Sequence, residues 1–166
     1  MRIRRDKRGF TLIELLIVVA IIGIIVAIAI PNLLNAIQRA KQKRSMADMR
    51  STGTAAEAYA VDTNRYPAAA AAYALPSGLT YPPGGTLTSA IQNALSPTYI
   101  RTLPLKDGWN SYFLYTTTSL FQDYAIVTGG KDGTTSSFVG GPTTDFNADI
   151  VFADGQFVQF PEGMQK

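Results

Sequence analysis

The pattern of apolar residues begins with a long run from Phe10 to Ile30, in which Glu14 is the single charged residue. Because a helix rises about 1.5 Å per residue, about 20 apolar residues cross the roughly 30 Å hydrocarbon core of a bilayer. The run therefore predicts a membrane-spanning helix close to the amino terminus. A carboxylate within such a span costs at least about 2.5–3.5 kcal/mol, so Glu14 is expected to have a partner.

The pattern then becomes amphipathic, which predicts that the same helix continues through Pro31 to about residue 65. Proline removes one backbone hydrogen bond and predicts a local kink, but the residues that follow favour helix. Apolar or small residues recur at spacings of three and four, as they do on one buried helix face. They are Met46, Met49, Gly53, Ala56 and Ala60. The opposite face, with Arg50 and Glu57, is expected to be solvated, and Tyr66-Pro67 ends the helix.

Beyond the helix, the pattern predicts a small domain of mixed secondary structure. A loop rich in proline, glycine and alanine over residues 67–85 precedes a short helix that ends before Pro97. Alternation with a period of two then predicts strands at residues 111–118, 123–128, 149–152 and 157–160. Asp154-Gly155 favours a two-residue hairpin turn between the last two strands. The predicted fold class is α+β, with a small antiparallel sheet packed against the amphipathic half of the helix.

The composition excludes several kinds of catalytic and metal site, because the chain contains neither cysteine nor histidine. Disulfides, thiol nucleophiles, histidine acid–base pairs and the usual zinc sites are therefore ruled out. The sequence also shows no convincing pair of catalytic carboxylates, so a membrane-anchored enzyme is the weaker alternative to a structural role. The chain is accordingly predicted not to be an enzyme.

Charge is divided unevenly along the chain, whose formal net charge is +3. Residues 1–9 alone carry a net charge of +4, and the remainder contains 10 basic and 11 acidic residues. From Ser51 onward there are five basic and nine acidic residues, so the carboxy-terminal domain is acidic. No nucleic-acid partner is expected for a domain with this charge.

The amino-terminal motif joins a basic leader to the apolar run in the order Lys7-Arg8-Gly9-Phe10-Thr11-Leu12-Ile13-Glu14. It resembles the signal of type IV pilins and of the pseudopilins of type II secretion. The resemblance implies that a prepilin peptidase cleaves after Gly9 and methylates the new amino terminus at Phe10. It also implies a type IV pilin fold, in which a long amino-terminal helix packs against a small sheet. An ordinary signal anchor, with Glu14 near the membrane interface, is the alternative.

The resemblance divides the chain into four predicted segments. They are a leader at residues 1–9, a transmembrane and filament-core helix at 10–30, the amphipathic half of the helix at 31–65 and a globular head at 66–166. Basic residues flank the apolar run on both sides, so charge alone leaves its orientation open. The resemblance implies a single pass through the inner membrane with a cytoplasmic amino terminus and a periplasmic head. The filament would then lie in the periplasm or at the cell surface.

Three residues of the apolar helix have roles in assembly according to the resemblance. In pilins, the segment between a glycine and a proline at the positions of Gly23 and Pro31 loses helicity when subunits pack into a filament. A membrane-helix glycine and an interfacial proline without this role are the alternative. For Glu14 we expect a contact between subunits, in which the carboxylate neutralises the terminal amine of a neighbour and sets the docking register.

The loop from Thr128 to Asp149 is long for a connection between strands, which indicates a role of its own. It resembles the calcium-binding loop of the major pseudopilins of type II secretion in Asp132-Gly133 and Ala148-Asp149-Ile150. Calcium takes about six to eight oxygen ligands, which backbone carbonyls help to supply. The expected side-chain ligands are Asp132, Asp145, Asn147 and Asp149. The loop is longer and less acidic than that of the family, and the alternative is that Asp132 and Asp145 are simple turn residues.

These features favour a structural subunit of a pilin-like helical filament assembled from the inner membrane. The absence of a disulfide and the resemblance of the loop favour the major pseudopilin of a type II secretion system. The alternative is the major pilin of a type IV pilus, which serves adhesion, motility or DNA uptake. The implied partners are other copies of the chain, the prepilin peptidase, an inner-membrane assembly platform, minor pilins or pseudopilins, and the membrane before assembly.

Overall fold

The computed structural model describes residues 9–69, 89–118, 120–135 and 140–165. This part of the chain contains two helices, α1 (Leu12–Thr63) and α2 (Ser89–Leu95). It also contains five strands, β1 (Leu114–Thr117), β2 (Tyr124–Thr128), β3 (Gly141–Thr143), β4 (Ile150–Ala153) and β5 (Gln156–Pro161). The predicted leader, apart from Gly9, and most of the predicted loop at residues 67–85 lie outside the described residues. The chain forms two compact units, Met1–Ala36 and Ile37–Lys166, and α1 contributes residues to both.

In the amino-terminal unit, α1 carries the apolar run as an exposed surface. Leu12 is 78% exposed, Ile24 65% and Leu33 61%. By its length and composition this helix can cross a membrane. It passes through Gly23 and Pro31 without interruption, which confirms the prediction that the helix continues beyond the proline.

In the second unit, α1 buries the face that its spacing predicts. Five positions at spacings of three and four are buried or partly buried, namely Met46, Met49, Gly53, Ala56 and Ala60. Arg50, on another face of the helix, is exposed as expected. The helix ends at Thr63, and the next residue, Asn64, has a φ of 57° and donates its amide to the Ala60 carbonyl at 2.8 Å. A left-handed residue of this kind is a common helix end.

At Gly53, α1 approaches β2 and β4 closely. A Cβ atom added to Gly53 would collide with the ring of Phe152 and lie 2.7 Å from the hydroxyl oxygen of Tyr124. This hydroxyl donates a hydrogen bond to the carboxylate of Glu57, one turn further along α1, at 3.0 Å. Glu57 is therefore partly buried, and the prediction that it is solvated is wrong, because Tyr124 reaches the helix and supplies a donor.

Gly53→Val is expected to lower the free energy of unfolding by about 2–3 kcal/mol, because overpacking a tight contact forces neighbouring side chains to move. The measurement is urea unfolding of a chain that lacks residues 1–35. Ala58→Val places the same side chain at an exposed position of α1 and should cost about 0.5 kcal/mol, the difference in helix propensity. Equal losses in the two variants would show that the contact at Gly53 does not limit side-chain size.

The five strands form one sheet in the order β1-β2-β4-β5-β3. The pairs β1–β2, β2–β4 and β4–β5 are antiparallel, as predicted. Asp154 and Gly155 form the turn between β4 and β5 with φ of 47° and 82°, and a type I′ hairpin turn requires positive φ at both positions. The prediction of a wholly antiparallel sheet is wrong at one edge, since β3 pairs with β5 in parallel. The sequence gives little sign of β3, because Gly141 and Pro142 are unfavourable in strands and are tolerated mainly at edges.

The core of the second unit lies between α1, α2 and the sheet, as expected for the predicted α+β pilin fold. Its largest fully buried side chains include Tyr115, Tyr124, Phe113, Met49, Ile91, Leu95, Ile126 and Ile150. Aromatic rings in the core and beside it pack against one another, with the rings of Tyr66 and Tyr124 at 4.7 Å and those of Phe152 and Phe157 at 4.9 Å between centroids. The predicted α+β fold class is thus confirmed.

Asp107 organises the turn that precedes β1. Its buried carboxylate accepts hydrogen bonds from the backbone amides of Trp109 and Ser111, both at 2.9 Å, and from the hydroxyl of Thr128. The indole of Trp109 donates to the side-chain oxygen of Gln38 on α1 at 2.7 Å. The turn that the sequence predicts here is thus hydrogen-bonded to both β2 and α1.

Candidate functional site

The residues of the predicted cleavage site lie immediately before α1. Gly9 and Phe10 belong to neither a helix nor a strand, and Phe10 is 88% exposed. A Cβ atom added to Gly9 would have no other described atom within 4 Å. The bond between the two residues therefore lies in an exposed, irregular segment, which is the kind of segment that peptidases cleave.

The first turn of α1 is closed by a capping box of Thr11 and Glu14. The Thr11 hydroxyl accepts a hydrogen bond from the Glu14 amide at 3.3 Å, and the Glu14 carboxylate accepts one from the Thr11 amide at 2.8 Å. The Thr11 hydroxyl also donates to this carboxylate at 2.7 Å. This reciprocal pair satisfies two amides that have no partner within the helix. Glu14 thus has a partner in its own chain, and the signal for it is the spacing Thr-x-x-Glu before an apolar run.

In the head, the two arms of the connection between β2 and β4 contact each other through their backbones. The Lys131 amide donates to the Phe146 carbonyl at 2.9 Å. Gly130 has a φ of 62°, and an added Cβ atom would lie 2.8 Å from the carbonyl oxygens of Phe146 and Ala148. The structure therefore brings together the two segments that contain the predicted calcium ligands.

The four predicted ligands differ in their surroundings. Asp132 accepts a hydrogen bond from the Thr134 amide and Asp145 one from the Asn147 amide, both at 2.9 Å, so each carboxylate closes an Asx turn. Asp132, Asp145 and Asn147 are exposed, whereas Asp149 is 1% exposed. Among the residues that the structure describes, no three acidic side chains lie close enough to hold a metal ion. The turn role of Asp132 and Asp145 is thus observed, and calcium binding stays a prediction.

Two buried tyrosines add polar groups to the core. Burial, and then the hydrogen bond to Glu57, raise the pKa of Tyr124 far above its usual value. Burial likewise raises the pKa of Tyr115, whose hydroxyl donates to the Pro67 carbonyl at 3.3 Å. Both phenols are therefore neutral at physiological pH and donate hydrogen bonds from the sheet, Tyr124 to Glu57 within α1 and Tyr115 to Pro67 after it.

Comparison with known families gives two matches that follow each other along the chain. Residues 4–30 match the prokaryotic N-terminal methylation motif. Residues 32–151 match the family described as type II secretion system (T2SS), protein G, and this match covers well over half of the chain. The chain belongs to the type II secretion protein G family.

Individual relatives agree with the assignment to the protein G family. The chain is 30% identical over 136 residues to the type II secretion system core protein G of Pectobacterium carotovorum subsp. carotovorum, and the match covers 82% of this chain and 76% of the relative. The corresponding protein of Klebsiella pneumoniae is 29% identical over 144 residues, covering 82% and 85%. The type IV major pilin protein PilA of Myxococcus xanthus is 46% identical, but over 69 residues that cover 40% of this chain and 31% of the relative. The pseudopilin prediction is therefore favoured over the type IV pilin.

Membership of the protein G family confirms the predicted resemblance. The family is one of structural pseudopilins, which implies a filament of pilin-like subunits. An apolar helix near the amino terminus that can cross a membrane fits a membrane-anchored protein. Cleavage after Gly9, methylation of Phe10 and a role of Glu14, Gly23 and Pro31 in assembly stay predictions.

Proposed function

We propose that this chain is the repeating subunit of a type II secretion pseudopilus and is drawn into it from the inner membrane. The observation that carries the proposal is the exposed apolar surface of α1 between Leu12 and Ile37, which the described chain leaves uncovered. An apolar surface of this extent is stable only in lipid or against other apolar surfaces. The inner membrane covers it before assembly, and the helices of neighbouring copies cover it afterwards.

In this proposal the amino terminus is cytoplasmic and the head is periplasmic. A prepilin peptidase removes residues 1–9 and methylates Phe10, an inner-membrane platform extracts the subunit, and minor pseudopilins share the filament. Gly23 and Pro31 bound the segment of α1 that gives up helical hydrogen bonds, since glycine weakens a helix and proline already lacks one donor. A Cβ atom at Gly23 would have no described neighbour within 4 Å, so packing within the chain does not explain the glycine.

Deletion of the gene in its native cell tests the proposal, because the two kinds of filament have different outputs. The expected result is loss of type II-dependent protein secretion with surface fibres and surface motility retained. Loss of surface fibres, motility or DNA uptake with normal secretion would identify a type IV pilus instead. Complementation with the intact chain controls for effects on neighbouring genes.

We also propose that the connection between β2 and β4 binds calcium. The backbone contact between Lys131 and Phe146 supports the proposal, because it places Asp132 and Asp145 on adjoining segments. Since no three acidic side chains cluster among the described residues, at most two carboxylates from them would take part. Asn147 or backbone carbonyls would have to supply most of the remaining oxygen ligands.

Calcium is expected to raise the Tm of a chain that lacks residues 1–35, and Asp132→Ala combined with Asp145→Ala should abolish the increase. A ligand that binds only the folded state at 100 times its Kd adds about 2.7 kcal/mol. Loss of the two Asx turns alone would lower the Tm equally in calcium and in chelator, so the difference between the two conditions isolates the metal. Asp123→Ala removes an exposed carboxylate outside the loop and should leave that difference unchanged. Identical melting curves with and without calcium would contradict the proposal.

A further inference from the structure

A polar groove of about 250 Å³ lies between α1 and the carboxy-terminal end of the described chain. Its lining consists of Arg39, Gln42 and Lys43 from α1 and of Pro161, Gly163 and Gln165 from the end of the chain. Pockets for drug-sized ligands have volumes of at least about 300 Å³. The groove is smaller than that, so it suits a small headgroup or ion.

The groove is lined by two cations and by no acidic side chain of the described residues. Arg39 and Lys43 are four residues apart, so they are neighbours on one helix face, where like charges repel. Both side chains are exposed. The ion pair in the described part of the chain joins Arg44 to Asp48 at 3.6 Å and involves neither of the two groove cations. A single anion bound between Arg39 and Lys43 would relieve their repulsion.

Two buried amides fix the floor of the groove. Gln42 is 4% exposed and Gln165 7%, and the Gln42 amide nitrogen donates to the Gln165 oxygen at 3.4 Å. The Gln165 amide nitrogen donates in turn to the carbonyls of Thr143 and Glu162, at 2.7 Å and 3.0 Å. The end of the chain is thus held against α1 by hydrogen bonds, and the groove is formed before any ligand arrives.

We propose that this groove binds the phosphodiester of an anionic membrane lipid such as phosphatidylglycerol. The planar guanidinium of Arg39 offers paired donors that match phosphate oxygens, and Lys43 adds a second positive charge. The side-chain carbonyl of Gln42 offers an acceptor for a headgroup hydroxyl. Arg39 follows the apolar run by nine residues, and basic residues beside a membrane span attract anionic headgroups. A lipid is therefore the expected source of the phosphate.

Lipid binding in the groove of an isolated subunit does not depend on a filament. The role of the bound lipid in the cell, in contrast, rests on the proposed function. A headgroup held at Arg39 and Lys43 would keep the head of an unassembled subunit at the membrane surface. The lipid would have to leave when the subunit is extracted.

The test is to purify the full chain in a neutral detergent, titrate it with phosphatidylglycerol and count bound lipids by native mass spectrometry. Arg39→Gln combined with Lys43→Gln should lower the affinity at least about tenfold, since hydrogen bonds to charged groups are strong. Lys41→Gln combined with Arg44→Gln removes the same charge from the same helix outside the groove. This control should change the affinity less than about threefold, because neither side chain lines the groove.

Several outcomes would overturn the proposal. Equal losses in the two double variants would indicate general electrostatic attraction without a site. Equal affinity for phosphatidylcholine would show that net negative charge is not recognised, and equal affinity for inorganic phosphate would indicate a site for the free ion. If the variant with Arg39→Gln and Lys43→Gln lost self-association but kept its lipid affinity, the groove would instead bind an acidic segment of a second copy. Because these measurements use isolated subunits, a failed secretion test would not alter them.

Discussion

Gly9→Val is expected to block amino-terminal processing, so that the exported chain keeps residues 1–9 and enters no filament. Since a Cβ atom added to Gly9 meets no described atom within 4 Å, it causes no clash with the described residues. Its effect therefore arises where a peptidase must fit the residue before the cleaved bond. Intact mass and amino-terminal sequencing measure the result, because the wild-type chain should begin at Phe10.

Gly23→Val is the matched control for this experiment. Gly23 also has no described neighbour within 4 Å of an added Cβ atom, but it lies within α1 and away from the cleavage site. This variant should be cleaved as completely as the wild type. A wild-type mature chain that still contains Arg8, or normal cleavage of Gly9→Val, would contradict the assignment of the bond between Gly9 and Phe10.

The parts of the fold that could be predicted depend on residues close together in sequence. The end of α1 is marked locally, by Asn64, which adopts a left-handed φ, and by Pro67, which disfavours helix at Tyr66. The hairpin between β4 and β5 follows from Asp154 and Gly155, which adopt positive φ readily. The cleavage motif is local as well, and so are the Asx turns of Asp132 and Asp145. In each case the sequence contains the whole determinant.

The parts that could not be predicted depend on contacts between distant segments. Glu57 has the spacing of a solvated helix residue, and only Tyr124, 67 residues away, makes it a hydrogen-bonded acceptor. β3 has little strand propensity and exists because β5 offers it a free edge, where the Glu162 amide donates to the Thr143 carbonyl at 2.9 Å. The groove beneath Arg39 likewise requires the end of the chain to return to α1.

Glu14 combines both situations, because it has a local partner in the structure and a distant one in the proposal. In the single chain its carboxylate closes the capping box with Thr11. In the filament, we propose, the carboxylate of one subunit neutralises the terminal amine at Phe10 of the next. Charges left unpaired in an apolar surrounding cost several kcal/mol, so the pair would select the docking register. The capping box explains how a subunit keeps this carboxylate hydrogen-bonded until a neighbour arrives.

Glu14→Leu is therefore expected to enter the membrane, be cleaved after Gly9 and fold its head normally. Its filament yield should nevertheless fall at least about tenfold, because a loss of about 1.4 kcal/mol in the contact between subunits already corresponds to that factor. The yield is measured as sheared or pelleted filament relative to membrane-bound subunit.

Two control variants separate the charge of Glu14 from its role in the helix cap. Glu14→Gln retains an acceptor for the Thr11 amide but no charge, and it should fail to assemble in the same way as Glu14→Leu. Thr11→Val removes the hydroxyl from the capping box and keeps the carboxylate. It should assemble nearly as well as the wild type, because the cost of about 1 kcal/mol for a lost helix cap falls on the subunit before and after assembly alike. Failure of Thr11→Val with normal assembly of Glu14→Gln would attribute the requirement to the helix cap. Wild-type yield from Glu14→Leu would show that the carboxylate does not set the register.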